Sequence, residues 1–165
     1  MKHVYLDNAA TTQLHTTVIA KMQDALANSY GNPSSTHSFG RTAKTAIESA
    51  RKTIAKYINA QPSEIIFTSG GTEADNMIIR CAVRDLDVKT IITSKIEHHA
   101  VLHTVEELKK NGSVQLLFVN LDAFGNPDMA HLETLLKSDD SKKLVSLMHV
   151  NNEIGNKIDL EAITL

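Results

Sequence analysis

The sequence predicts an α/β protein in which a three-layer, mainly parallel sheet is flanked by helices. Two alternating patterns along the 165 residues indicate this fold class. Some stretches carry apolar residues three and four positions apart, as amphipathic helices do. The stretches between them are short, almost continuously apolar and rich in β-branched residues, which is typical of strands covered on both faces. Strands that alternate with helices form βαβ units, and such units build a mainly parallel sheet.

Five segments have the apolar spacing of a helix. They are residues 18–26, 43–58, 72–84, 101–108 and 132–136. The third is apolar around most of its circumference, so we expect this helix to be buried on more than one side. Asn111 and Gly112 provide a stop signal for the fourth, and Pro127 lies near the expected first turn of the fifth.

Four apolar runs have the length of strands. They are residues 64–68, 90–93, 114–119 and 144–150. The chain length fits one domain, in which residues 1–40 form an amino-terminal helix and a long polar loop ahead of the first strand. Residues 152–165 stop inside the apparent start of a helix, so we expect the sequence to continue in a longer relative.

Composition narrows the classes of function. Lys and Arg total 17 and Asp and Glu total 19, and this balance disfavours a nucleic-acid or anionic-membrane surface, which would carry a basic excess. Cys81 is the only cysteine, which excludes an internal disulfide and fits a reducing compartment. No apolar run approaches the roughly 18 residues of a membrane helix. We therefore expect a cytoplasmic protein with neither a membrane nor a nucleic acid as partner.

The strongest local motif is the strand-to-helix turn around Gly70 and Gly71. The two glycines are expected to allow a tight turn with positive φ, and Thr72 with Asp75 fits the capping-box spacing, which predicts a helix start at Thr72. Backbone N–H groups and the positive end of the helix then favour an anion, for which phosphate is the first candidate. The alternative interpretation is an ordinary strand-to-helix turn.

A second motif, residues 94–101, follows the next predicted strand. Ligands of open α/β sheets bind beyond the carboxyl ends of the strands, so His98 is placed to reach the same crevice as the glycine turn. An imidazole there can stack on a planar ring or move a proton. The alternative is that His98 and His99 are surface residues at a helix start. No metal site is expected, because adjacent histidines diverge on a helix and no third ligand has suitable spacing.

Two further polar segments complete the candidate site. Residues 149–155 place Asn151, Asn152 and Glu153 directly after the last predicted strand, where polar groups are costly in a core and useful in a site. The alternative there is a polar turn ending at Gly155. Residues 30–41 form a loop richer in Tyr, His, Phe and Arg than a passive linker needs, and the alternative is a solvated loop that caps the next helix through Ser38.

Five motifs occur along the chain, at residues 6–12, 31–35, 68–73, 97–98 and 148–155. Their order and separation resemble those of the cysteine desulfurases, which belong to the class V aminotransferase-like branch of pyridoxal phosphate enzymes (fold type I). The resemblance covers essentially the whole chain.

The resemblance implies roles for four matching residues. Gly71 and Thr72 would hold the phosphate of pyridoxal 5'-phosphate, His98 would stack on its pyridine ring and assist proton transfer, and Asn152 would hydrogen-bond its phenolic oxygen. The family converts L-cysteine to L-alanine and an enzyme persulfide, whose sulfur passes to an acceptor protein for Fe–S cluster or thio-cofactor assembly.

The resemblance also implies what this chain lacks. In the family the Schiff-base lysine, the persulfide cysteine and the substrate-binding arginine follow the asparagine motif, and this chain ends before them. We therefore expect residues 1–165 to be an incomplete cofactor-binding (large) domain that is inactive as this chain alone. Lys95 is not expected to replace the Schiff-base lysine, and Cys81 is expected to be a core residue and not the sulfur acceptor.

Two alternatives to an enzyme part stay open. The chain could be a non-catalytic fragment that is stable only by assembly, as a homo-oligomer or with a complementing chain, because an unfinished sheet exposes edges and apolar faces. It could also be a phosphate-binding module for another ligand.

Overall fold

The structure, a computed structural model, describes residues 3–164, with side chains up to residue 163. The chain forms two compact units, of which the first ends at Phe67 and the second begins at Thr68. No helix in the described part of the chain combines the length and the hydrophobicity that crossing a membrane requires.

The first unit consists of two helices and a short turn. Helix α1 spans Thr16–Asn28, helix α2 spans Ser38–Tyr57, and a single 3-10 turn covers Pro62–Glu64. Both helices were expected from their apolar spacing and are confirmed.

The loop before α2 is held against the helix by its own backbone. Gly40 is buried, and a Cβ added to it would lie 2.4 Å from the carbonyl oxygen of Ser35 and 2.6 Å from that of Asn32, so only glycine permits this approach. His37 is the N-cap of α2, and its Nδ1 accepts a hydrogen bond from the backbone N–H of Gly40 at 3.4 Å. Capping through Ser38, the expected alternative, is therefore wrong, because Ser38 is already the first helical residue.

The strand expected at residues 64–68 is not formed. The chain leaves the 3-10 turn through an extended Ile65 and continues without pairing to any strand of the described chain. The side chain of Ile66 is 67% exposed. The apolar, β-branched composition predicts an extended conformation, but a strand also needs a neighbour to accept its hydrogen bonds.

The second unit contains the sheet. Its strands are β1 (Thr90–Thr93), β2 (Gln115–Phe118) and β3 (Lys143–Ser146); its helices are α3 (Gly71–Asp85), α4 (His99–Lys110), α5 (Met129–Leu136) and α6 (Leu160–Thr164). The strands are parallel in the order β2–β1–β3, and Ile91 of the central strand lies opposite Leu116 and Leu144. The predicted parallel arrangement is confirmed. The last two strands are shorter than the apolar runs that predicted them.

The central strand β1 separates two apolar clusters. Ile91 packs with Val101 and Val105 of α4 and with Ile79 of α3, whereas its neighbour Ile92 packs with a second cluster that includes Leu132 of α5. Successive side chains of a strand point to opposite faces of a sheet, so helices cover both faces. The structure is therefore the three-layer α/β arrangement that the sequence predicts.

Helices α3 and α4 run in the same direction. Asn76 accepts a hydrogen bond from Thr104 Oγ1 at 2.7 Å, and one turn further along α3 Arg80 forms a 2.6 Å ion pair with Glu107. Both helices therefore begin at the same end. The expectation that α3 is buried on more than one side is wrong, because Ile78 is 60% exposed while α4 and the sheet cover only the face carrying Ile79.

Candidate functional site

The glycine turn places the start of α3 one residue earlier than predicted. Gly70 is the N-cap and Gly71 the first helical residue, and as a glycine the N-cap has no side chain to bond the free N–H groups of the helix. The predicted capping box of Thr72 and Asp75 is therefore wrong. Instead, the Glu73 carboxylate accepts hydrogen bonds from Ser69, at 2.7 Å from its backbone N–H and at 2.6 Å from its hydroxyl. These hydrogen bonds hold the pKa of Glu73 below its usual value.

Neither glycine of the turn has the positive φ that was expected. Gly70 is extended, with φ 167° and ψ −179°, and Gly71 lies in the helix. A Cβ added to either residue would meet no atom within 4 Å, so neither backbone conformation nor packing in the described chain demands glycine here. The bare backbone faces open space. Since the first N–H groups of a helix have no intrahelical acceptor, an anion such as phosphate can approach them closely.

His98 is the N-cap of α4, directly after the loop that leaves β1. Its Nδ1 accepts a hydrogen bond from the backbone N–H of Ala100 at 3.1 Å, and the ring is exposed. Because Nδ1 acts as an acceptor, the proton of the neutral imidazole is assigned to Nε2. The alternative of a surface histidine at a helix start is thus correct in its geometry. In this position the Nε2–H of His98 can still donate a hydrogen bond to a ligand.

Thr72 and His98 line one open groove between α3 and α4. The groove has a volume of about 300 Å³. Its remaining lining residues are Asn76, Arg80, His99, Ala100, His103, Thr104 and Glu107. The amino termini of two parallel helices lie at this end of the unit, and each carries a partial positive charge. The structure therefore brings together the phosphate and ring candidates that the sequence placed in separate motifs.

Asn152 lies outside that groove, on the loop that follows β3. This loop is tied to the loop carrying His98, because Asn151 Nδ2 donates a hydrogen bond to the carbonyl oxygen of Ile96 at 2.8 Å. Asn152 is exposed and donates to the Glu153 carboxylate at 2.9 Å. Since β1 and β3 are parallel neighbours, both loops leave the sheet at the same edge.

Glu97 is a residue that the sequence reasoning missed. Its side chain is buried, with 7% exposure, and Oε1 accepts hydrogen bonds from Ser94 Oγ at 2.8 Å and from the backbone N–H of Met148 at 3.0 Å. Burial raises the pKa of Glu97. The sequence did contain a signal for this residue: an acidic side chain that lies next to the candidate His98 and three positions after Ser94.

Lys95 and Cys81 are not among the residues that line the groove. Lys95 is exposed, and its Nζ is 6.0 Å from the centroid of the Phe118 ring. Cys81 is only half-buried, and Arg84 donates a hydrogen bond to its Sγ at 3.6 Å. Its expected place in the core is therefore wrong, because this side of α3 has no cover in the described chain. Within residues 3–163, no group of three His, Cys, Asp or Glu side chains could hold a metal ion.

Comparisons with known proteins agree on one family. Residues 4–165 match the aminotransferase class-V family. The chain is 50% identical over 157 residues to cysteine desulfurase IscS of Dictyoglomus turgidum, an alignment that covers 93% of this chain and 39% of the relative. It is 43% identical to putative cysteine desulfurase IscS 1 of Bacillus subtilis, over 99% of this chain and 43% of that protein.

Solved structures give the same result. A NifS-like protein superposes with a TM-score of 0.92 at 38% identity, covering 99% of this chain and 44% of that one. A structure described as SspA in complex with cysteine superposes with a TM-score of 0.84 at 32% identity, covering 94% and 44% of the two chains. The chain thus spans less than half the length of each of these relatives. It belongs to the class-V aminotransferase family, and the curated relatives that it matches are cysteine desulfurases.

Proposed function

We propose that this chain supplies the phosphate-binding side of a pyridoxal 5'-phosphate site in a cysteine desulfurase. One observation carries the proposal: the bare backbone at Gly70 and Gly71 faces open space at the start of α3, while Thr72 and His98 line one groove beside it. The names of the relatives support the same activity.

Four residues have roles in this proposal. The backbone N–H groups of Gly71 and Thr72, with the Thr72 hydroxyl, bind the phosphate. His98 stacks on the pyridine ring and assists proton transfer: its Nε2–H is the donor, and uptake of a proton at Nδ1 requires that nitrogen to release the Ala100 N–H. Asn152 donates from its amide to the phenolic oxygen of the ring. When bound, the cofactor supplies an electron sink for the bonds at the α-carbon of an amino acid.

The covalent lysine and the persulfide cysteine belong, in this proposal, to polypeptide other than these 165 residues. Cys81 follows Thr72 by nine positions in α3, which is roughly 14 Å along a helix axis, too far to attack a substrate held at the helix start. Lys95 is exposed and its Nζ lies near Phe118. We therefore expect no sulfide release from cysteine by this chain alone.

Substrate, partners and location extend the proposal. L-Cysteine is the substrate of the complete enzyme, in line with the cysteine complex of SspA, and the sulfur passes to an acceptor protein for Fe–S cluster or thio-cofactor assembly. A homo-oligomer or a complementing chain covers the exposed apolar side chains of the first unit, such as Leu26 at 78% exposure. A cytoplasmic location fits a chain with one cysteine.

A binding experiment tests the cofactor site without requiring activity. Pyridoxal phosphate and inorganic phosphate are titrated against the chain in competition, using equilibrium dialysis. Thr72→Val removes a hydroxyl without changing shape and should weaken both ligands about tenfold. His98→Asn keeps a residue that caps helices well and removes the ring, so it should weaken pyridoxal phosphate alone.

Thr134→Val, on the exposed face of α5, is the matched control and should leave both affinities unchanged. Equal affinity for the two ligands in the wild-type chain, with no selective loss in His98→Asn, would instead support the phosphate-binding module. Absence of competition between the two ligands would contradict a shared phosphate cradle.

A further inference from the structure

The loops that follow β1 and β3 are joined by a buried polar bracket centred on Glu97. One carboxylate oxygen, Oε1, accepts from Ser94 Oγ at 2.8 Å in its own loop and from the backbone N–H of Met148 at 3.0 Å in the other. A second tie runs beside it, since Asn151 Nδ2 donates to the carbonyl oxygen of Ile96 at 2.8 Å. Both ties are made next to candidate site residues.

The residues that join the two loops are direct sequence neighbours of the candidate site residues. Glu97 immediately precedes His98, and Asn151 immediately precedes Asn152. Asn151 is buried, and its Oδ1 accepts from the backbone N–H groups of Glu153 at 2.9 Å and Ile154 at 3.1 Å, which fixes the turn around Asn152. The Glu97 hydrogen bonds begin one residue before His98 and the Asn151 hydrogen bonds one residue before Asn152, so little backbone freedom remains between the two site residues.

Burying a carboxyl group is costly, so its presence needs a physical reason. A neutral side chain would pack between the loops more easily, and Asp75 adds a further negative charge that acts on Glu97 in the same direction as burial. What Glu97 provides is one strong acceptor that receives a donor from its own loop and a second donor from Met148, 51 positions further along the chain.

We propose that Glu97 is a positioning residue that holds His98 and Asn152 at a fixed separation, so that both can contact one planar ring. The proposal rests on the cofactor site proposed above. It separates two functions at this edge of the sheet: the start of α3 binds phosphate, and the Glu97 bracket aligns the residues that contact the ring.

Two ligands and two substitutions at one position test the bracket. Glu97→Ala removes the acceptor for both donors and should weaken pyridoxal phosphate about tenfold while leaving inorganic phosphate unchanged. Glu97→Gln keeps an oxygen acceptor at the same length and should restore affinity to within about twofold of the wild-type value. Rescue by glutamine would show that the acceptor, and not the charge, matters.

Thr93→Val is the matched control. Thr93 Oγ1 donates to the carbonyl oxygen of Ser146 at 2.8 Å, so this nearly isosteric change removes a buried hydrogen bond between the same two strands but below the loops. It should lower the melting temperature and leave both ligand affinities unchanged. If Glu97→Ala does not fold, Ser94→Ala removes one donor to the same carboxylate and should give a smaller, selective loss of about threefold.

A readout without ligand keeps this proposal separate from the cofactor proposal. Hydrogen exchange of the Met148 amide should be slow in the wild-type chain and in Glu97→Gln, and fast in Glu97→Ala. Equal loss of both ligands in Glu97→Ala, or failure of glutamine to restore binding and exchange protection, would overturn the bracket. A wild-type chain that binds phosphate and pyridoxal phosphate equally would overturn the cofactor proposal, while the exchange result would still decide whether Glu97 joins the loops.

Discussion

Helix α1 of the first unit and helix α4 of the second have nearly the same length and similar apolar spacing, but the chain covers only one of them. None of the 13 residues of α1, all of them described, is buried. In α4, which has 12 residues, five are buried: Ala100, Val101, Thr104, Val105 and Leu108. Apolar spacing therefore identifies a helix in both units. It does not tell whether the surface that covers the helix belongs to the same chain.

The cause of the difference is the sheet. Helix α4 packs beside α3 and against β2, and its apolar residues share one cluster with Ile91 of β1. In the first unit the described residues offer α1 no sheet, and an open apolar groove of about 780 Å³ is lined by Met22, Leu26, Ile47, Phe67 and their neighbours. Substitutions of apolar residues should therefore destabilise the second unit strongly and the first unit less.

The largest expected effect comes from one pair of isoleucine truncations. Ile91→Ala, at a fully buried position of β1, should lower the free energy of unfolding by about 3 kcal/mol, because it removes packed atoms and leaves a cavity. Ile19→Ala on α1, whose side chain is exposed, should cost less than about 1 kcal/mol. Urea denaturation of both variants measures the difference. Equal losses would mean that α1 is covered in solution.

Association is the second test of the uncovered surface. Leu26→Glu places a charge in the apolar groove of the first unit and should weaken self-association about tenfold, as a buried charge at a contact costs more than the lost methyl groups. Light scattering over a concentration series measures the molar mass. Leu86→Glu changes an exposed leucine of the second unit and is the control. A wild-type chain that stays monomeric would contradict the prediction.

Two threonines extend the comparison to hydrogen bonds. Thr93→Val removes the buried hydrogen bond to Ser146 and should lower the free energy of unfolding by about 1 kcal/mol. Thr53→Val removes a hydrogen bond to the Ser49 carbonyl on the exposed face of α2, and water replaces it, so the loss should be within about 0.5 kcal/mol. Thermal unfolding at one pH compares them. A larger loss of unfolding free energy for Thr53→Val than for Thr93→Val would contradict the conclusion that the second unit is the covered one.

The smallest expected effect is a difference in pH dependence between two carboxyl groups of the second unit. Burial raises the pKa of Glu97 above 4.5, so the folded state holds the proton more tightly than the unfolded state, and the stability from this group falls as pH rises through the folded pKa. Arg80 lowers the pKa of the exposed Glu107, so stability from that pair is lost as pH falls.

Unfolding curves from pH 3 to 7 should therefore change in opposite directions when Glu97→Gln and Glu107→Gln are compared with the wild-type chain. Added salt should reduce the Glu107 difference and leave that of Glu97, because exposed charges are screened more strongly. The same direction for both variants would contradict the burial of Glu97.

The sequence predicted the sheet best where the chain covers itself. The strand at residues 90–93 is confirmed at both ends, because Ile91 and Ile92 pack against helices of the same chain on opposite faces. The strand at residues 64–68 is wrong, although its composition is similar, because no described strand pairs with it. Local composition determines a preference for extended chain, and only a neighbour turns that preference into a strand.

The candidate site also contains residues that the sequence could indicate and one that it could not. His98 lies beyond the carboxyl end of β1, where ligands of open α/β sheets bind, and it shares a groove with Thr72, which follows no strand of the described chain. Glu97 could not be found by that rule, because its partners are Ser94 nearby and Met148 at 51 positions along the chain. Contacts of this kind are a property of the folded chain and leave no periodic signal in the sequence.

The N-cap at His98 has one further consequence. If Nδ1 gained a proton, the ring would present an N–H to the Ala100 N–H, and the first turn of α4 would lose its acceptor. Nδ1 can therefore cap the helix only as an unprotonated acceptor. The ring nitrogen that holds the first turn of α4 is thus reserved for the backbone, and Nε2–H is the atom of this side chain left to face a ligand.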